Sequence, residues 1–94
     1  MAYERTQRDL TLVKEPALRV VLMLLGKGTK ISEHQAAEPL TFHVLSGSVT
    51  FRAGARVESL GSGELIVLES TVAHEVEALE ESACLLTLAG AAQD

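Results

Sequence analysis

At 94 residues the chain has room for one domain and one hydrophobic core, since domains run to roughly 100–200 residues. Apolar residues make up 47% and charged residues 22%, a balance too apolar for a disordered chain. The net charge is −5 and the 8 basic residues are dispersed, which excludes a basic stripe for tracking phosphates and with it nucleic acid as the main partner.

The chain opens with a polar, aperiodic stretch from Met1 to Arg8, so residues 1–9 read as an N-terminal arm. The arm carries Glu4 and Asp9 and has no apolar run behind a basic start, so no secretory signal is expected. Beyond it a period of two dominates. Thr11 to Lys14 is a short strand. Ala17 to Leu25 is aliphatic and β-branched except for Arg19, and Pro16 and Gly26 bound it, as suits a largely buried strand. A helix competes for this run, but the Gly26-Lys27-Gly28 turn that closes it favours a strand. Val20 to Leu25, the longest unbroken apolar stretch, falls far short of the roughly 20 residues that cross a bilayer. The single cysteine, Cys84, leaves no intrachain disulfide or multi-cysteine metal site. A cytoplasmic protein away from the membrane is the expectation.

Pro39 to Leu45 is the next apolar strand and ends at Ser46-Gly47; Ser48 to Arg52 alternates up to a reversal at Ala53-Gly54-Ala55. Arg56 to Leu60 alternates, Gly61-Ser62-Gly63 turns, Glu64 to Leu68 is apolar, His74 to Ala78 alternates, and Ser82 to Leu88 is a last apolar run before a tail at 90–94. About eight short strands with frequent turns predict an all-β sandwich or jelly roll rather than βαβ units.

Five positions carry a family pattern. Gly28 is followed after five residues by His34, Gly47 lies thirteen beyond His34, and Gly63 and His74 are eleven apart. This spacing resembles the two motifs of the cupin superfamily, as do His43-Val44-Leu45-Ser46-Gly47 and Leu60-Gly61-Ser62-Gly63-Glu64-Leu65. The resemblance covers about half of the chain. It implies a cupin jelly-roll β-barrel, a double-stranded β-helix, as one domain over residues 1–94. The pattern is incomplete. Ala36 stands where the family carries its second His, Leu40 where it carries the ligand Glu, and Glu69, Thr71 and Ala78 replace a Pro, a Gly and an Asn.

In that frame His34 and His74 occupy the first and last ligand positions and are the leading metal candidates. Zn, Ni, Fe and Cu all accept imidazole nitrogen. A retained metal needs a third donor, for which His43, Glu38, Gln35 and Glu69 are the candidates. Strand parity turns His43 away from the Phe42 and Val44 face unless a bulge intervenes. Cys84 shares a face with Ser82 and Leu86 and has no base beside it, so it reads as a small buried hydrophobe. Glu75, Glu77, Glu80 and Glu81 read as a solvated face.

The expected function is a His-lined pocket that binds a small molecule, a divalent metal, or both. The alternative is a metal-dependent dioxygenase or isomerase, which for O₂ chemistry at iron needs two His and a carboxylate. A homodimer is expected, because the apolar-faced segments Leu10 to Val13 and Ala17 to Leu25 need more cover than one small barrel supplies.

Overall fold

The computed structural model describes residues 7–34, 39–69 and 73–89, with 32–34 described by their backbone. Among the described residues nine strands run in chain order: β1 (Gln7–Glu15), β2 (Leu18–Leu25), β3 (Lys30–His34), β4 (Leu40–Ser46), β5 (Ser48–Ala53), β6 (Arg56–Gly61), β7 (Leu65–Leu68), β8 (His74–Ala78) and β9 (Ser82–Ala89). They form a five-stranded sheet in the order β1-β2-β9-β4-β7 and a four-stranded sheet in the order β3-β8-β5-β6, with every pairing antiparallel. Among the described residues no helix is long and apolar enough to cross a membrane.

The alternation read from the sequence is the alternation of burial. Phe42 and Val44, Ile66 and Leu68, Cys84 and Leu88 point inward from one sheet, and Val49, Phe51, Val76 and Ala78 meet them from the other. Leu18 to Leu25 of this run is strand β2, held between β1 and β9, so the competing helix is absent; Ala17 belongs to the preceding turn, and because one face of β2 is an outer face, only Met23 and Leu25 are buried, rather than most of the strand as expected.

Two departures from expectation exceed a single residue at a strand end. β1 begins at Gln7, so residues 7–9 of the expected arm belong to the ladder. Gln7, Arg8 and Asp9 pair with Leu25, Leu24 and Met23 while their side chains stay exposed, and polar residues on an exposed edge strand give no apolar signal. β3 is the strand missing from the expected eight. Ile31 is its one apolar residue, and pairing with β8 rather than internal pattern makes it a strand. Residues 1–6 and the tail at 90–94 lie outside the described residues.

The turn between β4 and β5 rests on Gly47, at φ 97°. A Cβ there would come 2.5 Å from the Glu81 carbonyl oxygen and 2.7 Å from the Ser82 Cα, so both backbone angle and space require glycine. Ser82 ties the sheets together at the same place. Its buried Oγ accepts from the Ser48 N–H at 3.1 Å and lies 2.8 Å from the Glu80 carbonyl, to which it donates.

Candidate functional site

The site begins with a register shift. Lys30 and Ile31 pair with Glu77 and Val76, but the next aligned pair is His34 with His74, so β3 carries one extra residue between them. Without that bulge the count would align Glu33 with His74. Bulges of this kind re-aim side chains and are frequent beside binding sites.

His74 is 4% exposed and belongs to the inward face of β8, between the sheets. Its ring stacks on Phe51 with centroids 5.6 Å apart and planes 8° from parallel, and Phe51 in turn meets Phe42 at 5.4 Å and 46°. Beside the imidazole is a crevice of about 10 Å³, room for roughly one water, lined by Met23, Ile31, Phe42, His74, Val76 and Leu86. Among the described residues its wall is apolar except for the histidine. A larger cleft of about 380 Å³ lies at the far end of the five-stranded sheet beside Arg8, Leu24, Ser46 and Glu81. It opens to solvent and has no histidine among the described residues that line it, so the narrower crevice is the better chemical candidate.

His43 belongs to a different sheet from His34 and His74. β8 and β3 bring His74 and His34 into register, whereas His43 sits on β4 between the buried Phe42 and Val44, with Leu65 and Leu85 as its cross-strand neighbours. Its side chain is therefore on the outer face of the five-stranded sheet, and no bulge reverses it. Leu40, at the position where a ligand carboxylate would stand, is a buried core residue, and Glu69 is exposed. Glu38 and Gln35 lie outside the described residues. Among the described residues no group of three or more His, Cys, Asp or Glu is placed to hold a metal ion. A centre of three histidines and a carboxylate does not fit the donors described. Sequence reasoning passed over Phe51 as the support for His74; its signal is an aromatic in the alternating run Val49-Thr50-Phe51.

Two antiparallel sheets closed over one core, with a histidine of β8 aimed inward, define the class of a small jelly-roll barrel. The chain superposes on a conserved protein of unknown function from Streptococcus pyogenes with TM-score 0.87 and 22% identity, covering 99% of this chain and 82% of that one. It is similarly close to a cupin superfamily protein from Desulfitobacterium hafniense, at TM-score 0.88, 13% identity, 95% and 82% coverage. A salicylate 1,2-dioxygenase from Pseudaminobacter salicylatoxidans matches at TM-score 0.83 and 18% identity over 88% of this chain and 26% of that chain. No family model and no curated protein matches the sequence. The chain has the cupin fold.

Proposed function

We propose that this cupin barrel binds a small, mostly apolar molecule at the mouth of the crevice between its sheets, which widens from its one-water size as the ligand enters, with His74 and His34 as the polar contacts. The observation that carries the reading is the register pair. Directly opposed residues of an antiparallel ladder lie about 4.5–5.5 Å apart at Cα, and here such a pair consists of two histidines from distant parts of the chain. An apolar wall with a few convergent polar groups is the usual make-up of a small-molecule site. Two imidazoles alone hold a divalent ion weakly, so the reading assigns no catalytic metal.

Likeness to a dioxygenase supports a second reading, a metal-dependent dioxygenase or isomerase. Leu40 in place of a carboxylate counts against it. One experiment separates the two. Protein purified without a histidine tag is analysed for bound metal, and a set of small apolar acids and phenols is screened by amide chemical shifts. The first reading expects no stoichiometric metal, and ligand shifts centred on Ile31, Phe42 and Val76 that are lost in His74→Ala. One tightly held metal per chain, lost in the double variant His34→Ala/His74→Ala, would replace it with the second.

A further inference from the structure

The cleft of about 380 Å³ belongs to the other sheet from His74 and is built by its own devices. Arg8 pairs with Leu24, Leu24 with Ala83 and Ala83 with Ser46, so these residues form one row across β1, β2, β9 and β4. The last place in the row depends on a bulge. Val44 is aligned with Cys84 and the next aligned pair is Ser46 with Ala83, so one extra residue on β4 brings a hydroxyl, in place of Leu45, opposite Ala83. Beyond the row the chain leaves β2 through Gly26, and Glu81 stands immediately before β9. With no side chain at Gly26 and only a methyl at Ala83, the middle of the cleft stays open.

Its walls carry opposite charges. Arg8 and Glu81 both line the cleft and are exposed, and among the described residues neither takes part in an ion pair. Arg8 and Ala83 are two strands apart, about 10 Å at roughly 4.8 Å per strand, and Glu81 lies two residues further along the chain from Ala83. The two charges therefore flank an apolar floor of Leu24 and Ala83 instead of neutralising each other.

We propose that this cleft is a second ligand site, independent of the histidine crevice, and that it takes a small zwitterion of the aliphatic amino-acid class. A simple anion would gain at Arg8 and lose at Glu81, and a simple cation the reverse, so a ligand carrying both charges is the one favoured at both walls. The Arg8 guanidinium donates to the ligand carboxylate as a planar fork, and the Glu81 carboxylate accepts from the ammonium. The aliphatic part covers Leu24 and Ala83, and the Ser46 hydroxyl supplies a further hydrogen bond beside them. The volume lies within the roughly 300–1,000 Å³ of small-molecule sites. Both charges stand in water, so binding is modest, with a Kd on the order of 1 mM.

The test titrates three probes separately into isotope-labelled protein and follows amide chemical shifts: L-leucine, 4-methylpentanoate, which lacks the ammonium, and 3-methylbutylamine, which lacks the carboxylate. Leucine should move the amides of Leu24, Gly26 and Ala83 to saturation and leave Phe42 and Val76 of the crevice in place. Each single-charge probe should bind about tenfold more weakly, the worth of one charge-assisted hydrogen bond. Arg8→Gln and Glu81→Gln, both at exposed positions and checked for folding by circular dichroism, should each weaken leucine by a similar factor. Glu81→Gln should at the same time tighten 4-methylpentanoate, because it removes the opposing charge. A wild type that holds 4-methylpentanoate as tightly as leucine would overturn the zwitterion. Leucine shifts confined to the crevice, or none at tens of millimolar, would overturn the site.

Discussion

His34 and His74 are cross-strand partners because β3 carries a one-residue bulge between Ile31 and His34. The bulge decides which residue is aligned with His74 in the ladder. In an unbroken ladder the position opposite His74 would be Glu33.

If the paired histidines form the polar end of one site, Zn²⁺ titrated into the protein should move the imidazole C–H resonances of His34 and His74 at the same concentrations. His43, on the outer face of the other sheet, should not respond. His43→Gln should leave the Zn²⁺ titration unchanged, and either His34→Ala or His74→Ala should remove it. A response led by His43 would show that the site has been misassigned.

His74 also has a packing role that can be separated from binding. Its ring is nearly excluded from solvent and stacked on Phe51, so His74→Ala opens space in the core and should cost about 1–3 kcal/mol by urea unfolding. His34→Ala changes a residue of a short edge strand and should cost less than about 1 kcal/mol. Equal costs would show that the two positions are not distinguished as core and edge.

Much of the fold was legible because the matched spacing consists largely of glycines with a physical duty. Gly28, Gly47 and Gly63 have φ of 86°, 97° and 85°, so their intervals record where the chain must turn. The alternating apolar residues Phe42, Val44, Val49, Phe51, Val76 and Cys84 recorded the inward face in the same way. What the sequence hid was non-local. β3 is ordered by its neighbour, residues 7–9 pair by their backbone while their side chains stay in water, and the bulge that selects His34 over Glu33 leaves no mark in composition.

Gly47 offers a controlled test of the turn. An alanine there meets both the positive φ and the backbone of Glu81 and Ser82, and Gly47→Ala should destabilise the protein by about 2–4 kcal/mol. Gly54 has φ of 62°, but the methyl of an alanine there would have nothing within 4 Å, so Gly54→Ala should cost about 1–2 kcal/mol from backbone angle alone. Thermal unfolding of the two variants side by side reads the difference directly.

Ser82→Ala removes the acceptor of the Ser48 N–H and the donor to the Glu80 carbonyl at the point where β9 meets the β4–β5 turn. Leaving partly buried backbone groups unpaired costs about 1–3 kcal/mol. The loss should also be local, so hydrogen exchange at the Ser48 amide should accelerate more than exchange at Phe51 or Val76. Uniform acceleration would mean that Ser82 contributes to global stability without tying this corner.

Cys84 gives the pH-dependent prediction. It is fully buried on β9, and desolvation pushes its thiol up to about 11 from a reference of 9.0. In the native protein at pH 8 the thiol should be protonated and closed to reagent, so dithionitrobenzoate should react slowly with folded protein and rapidly in denaturant. The linkage has a definite sign. Below pH 9 both native and unfolded thiols hold their proton and the stability contribution is fully present. Between about pH 9 and 11 the unfolded chain releases its proton while the native chain retains it, so stability falls across this window and levels off above it. Cys84→Ala should remove this part of the alkaline decline, at the cost of a small cavity. Urea midpoints for both proteins from pH 8 to pH 11 supply the check: parallel curves would show that some other group drives the decline, and fast labelling of native protein would show that Cys84 is open to solvent.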